Sequence, residues 1–180
     1  MKKFIATVAL LTTLAGCSAS AEAATKEKAS SKLATHVAEQ TGIKSLLANT
    51  ARVHNTQLIN KTADRLKKYV GKTWYVFSGN TPNGWDCSGL VMWFYQQNGI
   101  TLHHSAYAEK YTGRPHKYSE AKAKVGDIIA FPGHVGIYVG NGYMIHAPRP
   151  GTRTQRIKVW QWAKMNWTTD VTYTRLITTN

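Results

Sequence analysis

The stretch from Val125 to Ala147 constrains this chain more than any other. The turn signal Val125-Gly126-Asp127 introduces an apolar run from Ile128 to Phe131. Two further runs, His134 to Val139 and Tyr143 to Ala147, flank the triplet Gly140-Asn141-Gly142. Gly and Asn tolerate the positive φ that tight turns require, so these two runs are predicted to pair as a hairpin. Side chains alternate faces along a strand, so the turn length decides which residues share a face. A two-residue Asn141-Gly142 turn would set position 137 opposite 146 and send His134 and His146 to opposite sides of the sheet. A three-residue loop sets position 136 opposite 146 and makes His134 a diagonal, same-face neighbour of His146, about 7–8 Å away between Cα atoms. Gly136, lying between His134 and Tyr138, would leave room for the imidazole of His146. Chemistry that uses both histidines therefore requires an odd loop with a bulge-type turn.

Upstream, Asp86 precedes Cys87-Ser88-Gly89-Leu90-Val91-Met92-Trp93-Phe94-Tyr95, closed by Asn98-Gly99. This reads as a buried helix with Asp86 as its N-cap. An earlier helix over Thr62 to Val70 carries Leu66, Tyr69 and Val70 on one face and stops at Gly71. The alternation of Val171, Tyr173, Arg175 and Ile177 predicts a final strand. Helices then strands make an α+β domain over residues 61–180, with N-terminal helices packed on a central antiparallel β-sheet. Residues 24–60, rich in Ala, Lys, Ser and Thr, read as a tether with weak helices that Gly42 interrupts.

The first residues, Met1-Lys2-Lys3 followed by an apolar run from Phe4 to Ala15, read as a secretory signal over 1–23. That run is too short for a transmembrane helix. Two cleavage readings compete. Leu14-Ala15-Gly16-Cys17 resembles a lipobox, which would place a lipid on Cys17 and is slightly favoured, whereas Ala21-Glu22-Ala23 fits ordinary signal peptidase. The expected location is extracytoplasmic, secreted or lipid-anchored at the cell envelope, with membrane contact solely through such a lipid. A net charge of +14, from 23 Lys and Arg against nine Asp and Glu, asks for an anionic partner. Export argues against nucleic acid and leaves anionic wall polymers or lipid.

Under either cleavage the mature domain keeps one thiol, Cys87, which has no internal disulfide partner. An unpaired cysteine in an oxidising compartment is a liability unless it does chemistry. At a helix N-terminus it sits in a field that stabilises thiolate and is expected to have a lowered pKa. The orphan N–H groups there point at any oxyanion that forms on an attacked carbonyl. A thiol nucleophile needs a base, and that base needs a third group to hold its tautomer. His134 and His146, fixed by one hairpin, are the candidates; His36, His54, His103, His104 and His116 are expected on solvated surface. A zinc site from Cys87, His134 and His146 lacks the close-paired spacing of small zinc sites, so no metal and no cofactor is expected.

These residues resemble the NlpC/p60 family of bacterial cell-wall cysteine peptidases, which have a papain-like core. The carrying motifs are Tyr75-Val76-Phe77-Ser78-Gly79, Asp86-Cys87-Ser88-Gly89-Leu90-Val91, Val125-Gly126-Asp127-Ile128-Ile129-Ala130-Phe131, His134-Val135-Gly136-Ile137-Tyr138-Val139-Gly140 and Ile145-His146-Ala147. The resemblance implies a nucleophile at Cys87, a general base at His134, an orienting group at His146 and a Tyr75 hydroxyl that helps hold the oxyanion. It implies that Asp86 and Ser88 help bind the peptide, and that the substrate is a peptidoglycan stem peptide cut after γ-D-glutamyl, before meso-diaminopimelate or lysine. Two departures stand beside the substrate groove: Ser78-Gly79 where Gly-Gly is usual, and Trp74 where a proline often precedes the tyrosine.

The expected function is a secreted, monomeric peptidoglycan endopeptidase with a Cys-His-His triad. The alternatives are cleavage of the amide between the sugar's lactyl group and L-Ala, lipid acyl transfer by a similar Cys and His arrangement, and a catalytically silent wall-binding module.

Overall fold

The computed structural model describes residues 15–179. The chain divides at Asn49/Thr50 into two units. The first is the N-terminal part of helix α1 (Ala15–Lys67), where Leu33, Val37, Ile43 and Leu47 are all exposed. The leader expected over 1–23 lies, up to residue 14, outside the described residues, as does the side chain of Cys17. Helix α1 runs straight through Gly42 instead of breaking there. One glycine costs a helix interior only about 1 kcal/mol relative to alanine, too little to divide a run of good helix formers. No helix among the described residues is long and apolar enough to cross a membrane.

The second unit begins with the last turns of α1, whose Ile59, Ala63 and Leu66 are buried. Gly71, at φ +73°, ends the turns that follow. A two-stranded ribbon comes next, β1 (Asn80–Thr81) and β2 (Gly84–Trp85), leading into α2 (Cys87–Gln96) and α3 (Ala106–Tyr111). The remainder is a six-stranded antiparallel sheet in the order β3-β8-β4-β5-β6-β7. Its strands are β3 (Pro115–Lys117), β4 (Ile128–Phe131), β5 (His134–Gly140), β6 (Tyr143–His146), β7 (Gln155–Lys158) and β8 (Thr172–Thr174), with α4 (Val159–Met165) between the last two. The arrangement is α+β. The final strand is shorter than its alternation predicts, because Arg175 turns aside to clasp Asp127 through two hydrogen bonds of 2.7 and 2.8 Å.

Both faces of the sheet are covered. On one, Ile128, Ala130, Val135, Ile137, Val139, Ile145 and Ala147 form a core with α1 and with Leu90, Val91, Phe94 and Tyr95 of α2. On the other, Ile129, Phe131, Tyr138 and Met144 pack with Val159 of α4, Val171 and Tyr173. Two-sided burial explains why β4 and β5 read as continuous apolar runs rather than alternating ones. Helix α4 covers the second face and was not anticipated; its apolar and polar residues do not resolve into a clear helical stripe over seven positions.

Candidate active site

The hairpin resolves the register question with a device intermediate between the two loop readings. Its turn is the two-residue Asn141-Gly142, both at positive φ (53° and 73°), and Gly140 pairs with Tyr143. One step further in, a bulge at Val139 shifts the register, so that Tyr138 pairs with Met144 and Ile137 with Ile145. The pairing therefore puts Gly136 opposite His146, the odd register, reached by a bulge rather than by a three-residue loop. A Cβ on Gly136 would stand 3.0 Å from the Cβ of His146 and 3.0 Å from the carbonyl of Ile145. The two imidazoles share the face that carries Tyr138 and Met144, and Nε2 of His134 lies 2.8 Å from Nδ1 of His146.

Cys87 opens α2, capped by Asp86, whose carboxylate accepts from the Gly89 N–H at 2.7 Å. The helix packs on the opposite face of the sheet from the histidines, yet the sulfur meets β5 at its backbone: the amides of Val135 and Ser88 hydrogen-bond it. Val135 directly follows His134 in β5, so the sulfur reaches the strand one residue along the backbone from the histidine. Gly89 lets the first turn of α2 lie against the Gly79–Asn80 backbone, since a Cβ there would stand 1.9 Å from the Gly79 carbonyl oxygen.

The electrostatics depart from expectation. Burial pushes the Cys87 thiol up, and the neighbouring Asp86 charge adds to this; the Val135 and Ser88 amides oppose it without prevailing. The lowered thiol pKa expected of a helix N-terminus is thus not found, because burial and an adjacent carboxylate outweigh the helix field. Burial also holds His134 at about 4 and, with repulsion from His134, His146 at about 3. The resting site is a neutral thiol beside two neutral imidazoles.

Trp162 of α4 covers those imidazoles, its ring centroid 4.4 Å from that of His146 and 5.0 Å from that of His134. His146 is fully buried, and its Nε2 has no hydrogen-bond partner. Packing against Trp162 and the bond to His134 therefore fix this ring.

Asp86 and Ser88 are both buried. The Asp86 carboxylate accepts from the Ser88 hydroxyl (3.0 Å), from the Ser78 N–H (2.9 Å) and from Gly89, and it pairs with Nε2 of His104 at 2.8 Å. Burial alone would raise its pKa, but these bonds hold it below the usual carboxylate range. His104 was expected on solvated surface and instead joins this network; nothing in its local sequence distinguishes it, since the pairing spans 18 positions. Tyr75 lies near both Cys87 and Asp86. Burial, and then the nearness of Cys87 and Asp86, raises its phenol, so its O–H remains a donor. Glu109 of α3 was also missed: it is fully buried, neither oxygen has a partner, and burial with the Asp86 charge pushes it up to about 10, so it is a neutral acid. Among the described residues no cluster of three or more His, Cys, Asp or Glu could hold a metal.

A half-buried thiol at a helix head, backbone amides that bond it, a phenol donor and a paired imidazole together suit nucleophilic attack on an acyl group. Comparison with known proteins agrees with that class. The NlpC/P60 family model matches residues 71–172, and the chain belongs to that family. A probable endopeptidase of Mycobacterium tuberculosis is 44% identical over 80 residues, covering 43% of this chain and 20% of the relative. The bifunctional muramidase/DL-endopeptidase CwlT of Bacillus subtilis is 39% identical over 104 residues, covering 53% and 31%. The chain thus spans between a fifth and a third of the length of these relatives. Among solved structures, the NlpC/p60 domain of the peptidoglycan hydrolase SagA superposes with a TM-score of 0.52 at 31% identity, covering 67% of this chain and 98% of that one.

Proposed function

We propose that the protein is an extracytoplasmic cysteine endopeptidase that hydrolyses the bond after γ-D-glutamyl in peptidoglycan stem peptides, before meso-diaminopimelate or lysine. The observation that carries this reading is the meeting of the Cys87 sulfur with the Val135 amide, one residue from an imidazole whose Nε2 is 2.8 Å from His146. The relatives' names as endopeptidases and as a peptidoglycan hydrolase support the substrate class.

In this mechanism His134 Nε2–H donates to His146 Nδ1, which leaves Nδ1 of His134 as the basic nitrogen. His134 takes the thiol proton as the sulfur attacks the peptide carbonyl. Both partners start neutral, so proton transfer accompanies attack rather than preceding it. The oxyanion is held by backbone N–H groups at the head of α2 and by the Tyr75 hydroxyl. Collapse breaks the C–N bond and His134 returns the proton to the leaving amine. Water, deprotonated by His134, then attacks the thioester, releasing a carboxylate and restoring the thiol. Asp86 and Ser88, which flank Cys87 in the chain, help bind the peptide.

The leader and the lipobox at Cys17 supply export and, on that reading, a lipid anchor. The excess of basic residues suits teichoic acids and wall carboxylates, an attraction that fades with salt. Mass spectrometry of peptidoglycan digested by the wild type, Cys87→Ser and His134→Ala tests the assignment. Fragments ending in γ-D-glutamate should appear with the wild type and with neither variant, each variant retaining its circular dichroism, while His146→Ala keeps residual activity. Full activity of either of the first two variants would overturn the assignment. Fragments beginning at L-Ala would instead identify the lactyl–alanine amide as the bond cut.

A further inference from the structure

We propose that the outer strand of the sheet, β7, carries a docking strip for a linear phosphodiester polymer of the cell envelope, formed by Arg153, Arg156 and Lys158 laid on the rings of Trp74 and Tyr143. The strip is separate from the peptide site and takes from the proposed function only its setting in the envelope.

The charge of the chain is unevenly placed. Between Asp127 and Asp170 there is no acidic residue, while Arg149, Arg153, Arg156, Lys158 and Lys164 all fall in that interval. Solubility alone asks for both signs interspersed, not for this segregation. β7 is the last strand of the sheet, and three of those cations lie on it or just before it. A strand rises about 3.3 Å per residue, which spaces Arg153, Arg156 and Lys158 about 10 and about 7 Å apart along the chain. Lys158 pairs with Tyr143 and Arg156 with Ile145, so both side chains leave the sheet on the face opposite the two imidazoles.

Rings hold these cations, not carboxylates. The Arg156 guanidinium carbon lies 3.7 Å and the Lys158 Nζ 4.4 Å from the centroid of Tyr143, and the Arg153 guanidinium carbon lies 4.4 Å from that of Trp74. Among the described residues none of the three is ion-paired; Arg153 donates to the Gly71 carbonyl at 3.1 Å and Lys158 to the Asn141 carbonyl at 2.5 Å. Glu120 stands against Gly142, in the hairpin turn rather than on β7. A guanidinium stacked on a ring keeps N–H donors at its edge for phosphate oxygens, and it is fixed before the ligand arrives, so binding costs less rotamer freedom. One such group would serve a small anion. Three in file suit a chain that repeats its charge. Trp74, which stands where the family often has proline, thereby becomes the platform for Arg153. Arg153 bridges to Trp74, and the Tyr75 N–H donates to the Thr152 carbonyl at 2.8 Å, so the strip ends beside the segment that carries the proposed oxyanion donor. A polymer held there would keep the protein on its wall and raise the local concentration of stem peptides.

Binding of lipid-free poly(glycerol phosphate) to the full chain, titrated at several salt concentrations, tests this. The affinity should fall linearly with salt on logarithmic axes. Replacing Arg153, Arg156 and Lys158 together by Gln should weaken binding about tenfold, the scale of three exposed ion pairs, and make the slope shallower by about 2. Replacing Lys28, Lys32 and Lys44, exposed cations of α1, by Gln removes the same charge and should leave binding unchanged. If the first triple variant melts early, Arg156→Gln alone, which removes no hydrogen bond among the described residues, should still weaken binding about threefold. No binding by the wild type, equal losses in the two triple variants, or equal or tighter binding of polyglutamate or single-stranded DNA at matched charge would each overturn the strip. Cleavage of soluble L-Ala-γ-D-Glu-meso-diaminopimelate should be the same in the first triple variant as in the wild type. A protein that binds the polymer in this pattern and cuts no peptide would sink the endopeptidase reading and leave the strip standing.

Discussion

At the scale of single residues, burial governs the chemistry of this site. A helix head alone would favour thiolate, but Cys87 is pushed up by desolvation, and the two imidazoles are pushed down by the same cause. The pH dependence follows. As the proposed base, His134 acts when neutral and would be lost as the pH falls through about 4, so the acid limb of kcat/KM is expected below pH 5 rather than near the ordinary histidine value of about 6.5. Stability carries the same signature. Because the folded pKa values are depressed, the unfolded chain binds protons first, so the contribution is complete above pH ~6.5 and is lost as pH falls toward 4 and 3. The slope is at most about 1.4 kcal/mol per pH unit for each histidine. Urea unfolding at a series of pH values should show the decline, and His146→Gln should remove one histidine's share; a flat profile would contradict neutral burial. Ser78 presents a second residue-scale test. It lies at φ +60°, where a side chain is strained, and this accounts for the glycine usual in the family at this position. Ser78→Gly is expected to be neutral or to stabilise by up to about 1 kcal/mol, read by thermal melting, because its backbone N–H still reaches Asp86.

Among elements, the β5–β6 hairpin decides whether a site exists. Its tight turn, taken alone, would send His134 and His146 to opposite faces; the extra residue at Val139 returns them to one. Deleting Val139 should therefore abolish hydrolysis. It would also either drive one imidazole into the apolar core that Val135 and Ile137 share with α2 or destroy the pairing. Loss of activity with a lowered melting temperature is the expected outcome, and an active deletion would mean that the histidines do not act together. The first turn of α2 is the second such element. Asp86 caps it, Gly89 lets it touch the Gly79 backbone, and the same carboxylate gathers His104, Ser88 and Ser78. Capping and site assembly are one act here.

For the whole molecule, the division at Asn49/Thr50 makes a simple prediction. A chain beginning at residue 50 should melt at the same temperature as the longer one and cut the same peptide. A chain beginning at residue 68 loses Ile59, Ala63 and Leu66 from the core and should be destabilised by several kcal/mol, since each buried aliphatic side chain contributes about 2 kcal/mol. Calorimetry on the two truncations separates these outcomes.

What could be read from residues alone was what depends on near neighbours in the chain. The cap at Asp86, the apolar strands, the glycine turn and the odd register demanded by two histidines are all local patterns, and the ordered motifs carry the family. What required the fold was everything settled between distant segments. The 18-position reach of His104 to Asp86, the Trp162 ring laid over both imidazoles and the solitary burial of Glu109 have no local trace. The direction of the Cys87 shift belongs with them, because the solvent that a thiol loses is excluded by side chains the sequence places far from it, and a chain pattern encodes periodicity but not who finally displaces the water.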